Sequence, residues 1–275
     1  MPADTQHRAQ CRLRQNSRRF ERSWATQRSI SALILREMSV TYGRSPGGYL
    51  WAFLEPAAGI LLLTFLFSKA FHAPPLGHSF ALFYATGLIP FLAYSDIASK
   101  VSQSLNFSRQ LLAYPAVTFI DALLARLSLN FLTQMLVGYG LFTGLWLSLE
   151  TRPAFSPDDL VLAYAMLACF AAGIGTFNCV LISIFPMWQQ IWSIINRPLL
   201  IISCVFFLYD DVPHPYSDWL WWNPLVHIVG QTRAAFYPAY DAAYISPTYV
   251  FGISLILFVL GLVFLSRYHR EIVHG

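Results

Sequence analysis

Apolar and polar positions fall along this chain in long blocks, not at the short periods of a soluble domain. Residues 1–23 are polar, rich in Arg and Gln, and show no apolar period, as in a disordered tail or one lying along anionic membrane lipid. From Trp24 the pattern changes. Ile30, Leu33, Ile34, Met38 and Tyr42 recur three and four apart, while Arg28, Ser29 and Arg36 fall elsewhere on the helical wheel. That spacing predicts an amphipathic helix over 24–44, too poor in apolar residues to cross a membrane and suited to lie in its interface. Ser45-Pro46-Gly47-Gly48 then supplies a turn. Apolar runs follow over 49–71, 80–101, 122–149 and 160–185. A fifth ends near Tyr209 after the linker PMWQQIWSIINRP, and a sixth covers 249–265. As a helix the first run reaches about 34 Å at ~1.5 Å per residue, enough for a ~30 Å hydrocarbon core. The pattern predicts an all-α membrane protein with six transmembrane helices.

Two connections carry structure of their own. Residues 102–119 read SQSLNFSRQLLAYPAVTF, in which Gln103 to Leu112 can form a short helix ended by Tyr114-Pro115. Thr118 stands three before Asp121, an N-cap arrangement for the third span. A short helix between two spans makes a docking knob for a soluble partner; an ordinary loop accounts for the same residues. Residues 210–248 contain Trp219, Leu220, Trp221, Trp222, Leu225, Val226, Ile228 and Val229, too apolar for a free loop. Either two short helices dip into the outer leaflet, or an aromatic belt lies flat on the surface. The Asn223-Pro224 break in the middle favours the re-entrant pair.

Composition excludes a soluble domain. Hydrophobic residues make up 56% of the 275, charged residues only 12%, and the mean hydropathy is +0.50, against about 25% charged in a typical globular chain. The net charge of +4 is segregated, since nine arginines precede the first apolar run. With the N-terminus inside, fifteen of the eighteen Lys and Arg fall on the cytoplasmic side, leaving Lys69, Arg152 and Arg233 outside. Both termini are therefore expected in the cytoplasm. A basic N-terminus also occurs in nucleic-acid arms, but orientation accounts for it without a nucleic-acid partner. The first apolar run begins too late for a cleavable signal peptide. Cys11, Cys169, Cys179 and Cys204 have no CxxC spacing, and the last three sit in apolar runs as small core residues.

Candidate chemistry is sparse. The only lysines, Lys69 and Lys100, follow no glycine loop, so the chain has no P-loop with which to hydrolyse ATP by itself. HExxH does not occur, and His72, His78, His214 and His227 lack metal-ligand spacing. Intramembrane charges are costly and so become functional candidates. Asp96 and Lys100 stand four apart on the second span, either neutralising each other or bordering a wet path. Glu55, one turn into the first span, has no basic residue three or four away; an internal latch to Arg44 or Arg36 is expected. Gly173 and Gly175, among Ala171, Ala172 and Thr176, permit close helix packing.

The stretches LREMSVTYGRSPGGYLWAFLEP, GLIPF at 87–91, LLAYPAVTFIDALLAR at 111–126 and WNPLVHIVGQTRAAFYP at 222–238 resemble the permease subunit of capsular polysaccharide ABC exporters, in the type-2 ABC exporter group. The similarity runs from about residue 30 to 268. It implies a 24–275 permease domain in a bacterial inner membrane, working as a homodimer with two copies of a separate cytoplasmic ATPase. ATP and Mg would act on that partner, with no cofactor on this chain. The cargo implied is an acidic, lipid-linked capsule polymer, passed on to periplasmic envelope-spanning export proteins. By position, Arg36, Glu37, Asn106, Phe107, Arg109, Tyr114 and Pro115 would couple to the ATPase. Arg44, Trp51, Glu55, Tyr94, Asp96 and Lys100 would line the substrate path. Trp219, Trp221, Trp222, Asn223, His227 and Arg233 would form a periplasmic gate. Export of O-antigen or teichoic acid by the same architecture is the alternative; a membrane enzyme or a channel lies further off.

Overall fold

The computed structural model describes residues 27, 29–40, 48–112, 118–149 and 155–274, and all regular structure among them is helical. Helix α1 covers residues 29–40. Then come α2 (Gly48–Ala70), α3 (Phe80–Ser102), α4 (Ser104–Leu112), α5 (Phe119–Ser148) and α6 (Pro157–Ile184). Helix α7 (Trp188–Ile202), a 3-10 turn at Tyr209–Asp211, α8 (Tyr216–Trp221), α9 (Pro224–Phe236) and α10 (Pro247–His274) complete the chain. The protein is an all-α membrane protein. The Arg-rich tail and most of the Ser-Pro-Gly-Gly turn lie outside the described residues.

Helix starts follow local chemistry. The Thr118 hydroxyl accepts from Asp121 N–H at 3.2 Å while the Asp121 carboxylate accepts from Thr118 N–H at 3.0 Å, a reciprocal capping box that opens α5 three residues before the apolar run. Asn223 caps α9 by accepting from Leu225 N–H at 3.1 Å, and Pro224 occupies the first helical position, where no N–H is needed. The Asn-Pro break therefore separates two short helices, α8 and α9.

Helices α3, α6 and α10 form the spine, and glycines set their spacing. A Cβ on Gly173 would sit 2.6 Å from the Ser254 carbonyl oxygen, and one on Gly261 2.9 Å from Phe177 N, so α6 and α10 touch backbone to backbone. Gly175 meets α3 in the same way, at 2.7 Å from Val101 Cβ. Among the described side chains of α10, Val250, Ser254, Gly261 and Leu265 are buried, one stripe at four- and seven-residue spacing.

These pairings fix direction. Gly173 lies by Ser254 and Phe177 by Gly261, so α6 and α10 run parallel. The chain between them must return to the end from which α6 started. Among the described residues five helices are long and apolar enough to cross a membrane: α2, α3, α5, α6 and α10. The return falls to α7, whose fifteen residues reach only about 22 Å at ~1.5 Å per residue, and to the turn after it. This corrects the sequence reading of the fifth run. Trp188 to Arg197, read there as linker, is helix, because its polar residues mark one face of an amphipathic segment and not a loop. Beyond Ile202 the chain leaves the helix through Cys204, at φ 57°. Gly87 of α3 admits that turn, since a Cβ there would lie 2.9 Å from the Val205 carbonyl oxygen.

Helix α2 packs on α3 along one edge, where a Cβ on Gly59 would lie 3.0 Å from Leu88, and α7 touches the spine lightly. Among the described side chains of α2 only Pro56 and Ile60 are buried, and α7 buries none.

Candidate functional site

At the α4 end of the bundle, four elements meet at one guanidinium. Arg126, seven residues into α5, donates from Nε to Glu37 Oε1 at 2.9 Å and from Nη1 to the Lys100 carbonyl at 3.0 Å. The same guanidinium lies over the Phe107 ring of α4, 4.2 Å from its centroid, and Arg36 of α1 lies over that ring at 5.3 Å. Asn130, one turn on, also reaches Glu37 Oε1 at 3.5 Å. Glu37 is only 4% exposed and Arg126 8%, so the pair is shielded from water and screened little by salt. Of the residues expected to couple to an ATPase, Arg36, Glu37 and Phe107 are thus brought together. Glu37, however, faces the bundle and not the surface. Asn106 is exposed on α4, which also carries Arg109. Tyr114 and Pro115 lie outside the described residues.

The expected path residues do not converge. The Lys100 ammonium donates to Asp96 Oδ2 at 2.9 Å, and Gln134 of α5 donates to the same oxygen at 2.6 Å, so the acid is satisfied within the bundle. Tyr94 is 1% exposed and stacks on Phe170 at 5.2 Å, a core position and not an entrance. Helical periodicity explains the difference: Tyr94 faces α6, two residues round the wheel from Asp96. Trp51 and Glu55 are exposed on α2, and no ion pair reaches Glu55 among the described residues. Arg44, one of its two expected partners, lies outside them.

The six expected gate residues lie on α8, on α9 and at the break between them. Arg233 is fully buried on α9 and donates from Nη1 and Nη2 to the Phe207 and Val205 carbonyls, each at 3.0 Å. Its guanidinium lies over the Phe83 ring at 4.4 Å. One side chain therefore holds the turn after α7 against α3 and α9. His227 is also buried. Its Nδ1 accepts from Ser246 N–H at 3.2 Å, which leaves the ring proton on Nε2 to be donated to the Trp221 carbonyl at 2.8 Å. This neutral imidazole links α8, α9 and the start of α10. Trp221 donates to the Tyr244 carbonyl at 3.1 Å, and Asn223 donates to the Ile202 carbonyl and Ser203 hydroxyl at 3.3 and 3.2 Å. Trp219 and Trp222 are 72% and 67% exposed. A separate apolar cleft of about 230 Å³ opens between α5 and α6, lined by Phe142, Trp146, Phe155 and Tyr164 among others; none of the candidate residues borders it.

Sequence reasoning missed Arg126. It entered there as one more orientation-setting cation, although a charge two turns into a span is itself a signal. Its partner lies 89 residues away, which no local spacing reveals.

At the α4 end of this membrane bundle one cation thus ties α5 to α1, α3 and α4. Residues 28–237 match the ABC-2 type transporter family, and the chain belongs to it. It is 34% identical to the polysialic acid transport protein KpsM of Escherichia coli over 234 residues, 85% of this chain and 91% of that protein. It is 25% identical over 252 residues to the capsule polysaccharide export inner-membrane protein CtrC of Neisseria meningitidis serogroup A, covering 90% and 93% of the two chains. The capsule polysaccharide export inner-membrane protein BexB of Haemophilus influenzae is 26% identical over 263 residues, at 92% and 96%. Exporter permeases of this family are not themselves enzymes and work with a separate ATP-binding subunit.

Proposed function

We propose that the chain is the membrane subunit of an ATP-driven exporter that carries a lipid-linked acidic capsule polysaccharide across a bacterial inner membrane. The observation that carries this reading is the near end-to-end likeness to relatives named for polysialic acid or capsule polysaccharide export. The working unit is a homodimer with two copies of a cytoplasmic subunit that binds ATP and Mg, and both termini are cytoplasmic.

The ATP-binding subunit docks on α4 through Asn106 and Arg109, with Tyr114 and Pro115 beside them. Phe107 lies beneath two guanidinium groups, so displacing α4 moves α1 and α5 together, and the bond from Arg126 to the Lys100 carbonyl carries the movement to α3. Glu37 acts in this scheme as a positioning residue that orients Arg126. Arg44, Trp51 and Glu55 border the entrance for the lipid-linked polymer, with Asp96 and Lys100 as a paired wall. At the other end, α8 and α9 re-enter the outer leaflet and close the path until Arg233 and His227 shift as a unit. The exposed Trp219 and Trp222 rings suit the apolar faces of sugars, and envelope-spanning proteins receive the polymer beyond them. Deleting the gene in the native host tests the reading: polymer is expected to accumulate inside, and undiminished surface polymer would overturn it. Asn106→Ala, Arg109→Ala and Tyr114→Ala are each expected to impair ATP-coupled export while co-purification with the ATP-binding subunit reports on docking.

A further inference from the structure

Helix α7 buries no residue, so packing alone does not fix where it sits. Its half-buried residues are Trp188, Trp192, Asn196, Leu199 and Leu200, spaced three and four apart on one face. That face is turned to the bundle. Trp188 Nε1 donates to Asn178 Oδ1 of α6 at 2.9 Å, Asn196 Nδ2 donates to the Ser95 hydroxyl of α3, and Leu199 and Leu200 pack against the main apolar core. Asn196 thus stands in the middle of a face otherwise made of Trp and Leu. A polar residue so placed in an apolar helix contact specifies register, because a slip strands its polar atoms. Inside a membrane no water is at hand to take them.

The partner of Asn196 has telling neighbours. Ser95 precedes Asp96, whose Oδ2 accepts from Gln134 of α5 at 2.6 Å, and lies five residues before Lys100, whose carbonyl accepts from Arg126. Helices α5 and α7 therefore attach to α3 at adjacent residues. At its far end, α7 is held again. The Ile202 carbonyl and the Ser203 hydroxyl accept from Asn223 Nδ2 at 3.3 and 3.2 Å, at the break between α8 and α9. One short helix joins a point on α3 to that break.

We infer that Asn196 is a positioning residue whose bond to Ser95 keeps α7 in register with α3, so that a displacement of α3 reaches the α8–α9 break. The inference rests on the export reading, in which the ATP-binding subunit displaces α4 and, through Arg126, α3. Without the bond that subunit still docks and hydrolyses ATP, but α7 slides on its thin apolar contact and the break stays where it is.

Three variants test this in the assembled exporter: Ser95→Ala, Asn196→Leu, and the exchange Ser95→Asn with Asn196→Ser. Surface polymer is measured in the deletion strain carrying each variant, and ATP hydrolysis on the complex purified with its ATP-binding subunit. Each single change is expected to lower surface polymer at least fivefold while hydrolysis stays within twofold of wild type. The exchange restores a donor and an acceptor and is expected to regain at least half of the export. A merely structural role would lower assembly, hydrolysis and export in parallel. That result would overturn the inference, as would unchanged export in both single variants or an exchange without recovery. If the deletion strain traps polymer inside, the exporter reading stands through any of these failures. If it traps none, the exporter reading falls and the inference falls with it.

Discussion

Arg126→Met removes the cation that Glu37, Phe107 and the Lys100 carbonyl share. The carboxylate of Glu37, 4% exposed, then stays buried with only the long bond from Asn130 at 3.5 Å. Breaking one side of a buried ion pair costs about 3–5 kcal/mol. At ~1.4 kcal/mol per decade this shifts the docking of α1 on α5 by roughly two to three and a half powers of ten. The double variant Glu37→Leu with Arg126→Met strands no charge, and apolar replacement of a buried pair is often neutral. Its loss should fall well short of the sum of the two single losses, with a coupling energy of about 1.5 kcal/mol or more. Thermal unfolding of the purified protein in detergent, for wild type, both singles and the double, measures that coupling. Export separates stability from transmission. The double variant should fold yet export poorly, because nothing then clamps the Phe107 ring to α5. Additivity within ~0.5 kcal/mol would refute the shared-cation argument, and a double variant with full export would refute its role in transmission.

Three other outcomes follow from contacts described above. Arg233→Lys cannot satisfy the Val205 and Phe207 carbonyls with one planar fork, so the turn after α7 should loosen; labelling of Cys204, now 1% exposed, by a membrane-permeant thiol reagent should rise several-fold, and unchanged labelling would count against the grip. Gly173→Ala drives a methyl to 2.6 Å from the Ser254 carbonyl and should cost about 1–3 kcal/mol, whereas Gly144→Ala meets nothing within 4 Å and should leave stability unchanged or slightly raised. For Glu55, reversing its charge together with Arg44 should restore export if the two form a latch. The same swap with Arg36 should not, because Arg36 is held over Phe107.

Much of the architecture was legible because the membrane makes hydrophobic blocks long and unambiguous. The spans α2, α3, α5, α6 and α10, the cap at Thr118 and Asp121, the break at Asn223 and the Asp96–Lys100 pair all rest on local spacing, and all appear. What escaped depends on partners far along the chain. Tyr94 was expected on the path by its position in the resemblance, but which side of α3 is covered is decided by α6. Helix α7 escaped because its polar face resembles a linker when read in one dimension. Glu37 was expected at a docking surface by its position in the resemblance; Arg126 and Asn130, both from α5, turn it inward.

The glycine contacts among α3, α6 and α10 bear on how such a molecule can change over generations. With backbones this close, the positions that face one another across the spine are constrained from both sides. Helices α2 and α7 carry no comparable constraint, so a substitution on their outward faces removes few contacts and costs little folding energy. Sequence change can proceed there by single steps, each leaving a folded protein, while the scaffold stays as it is.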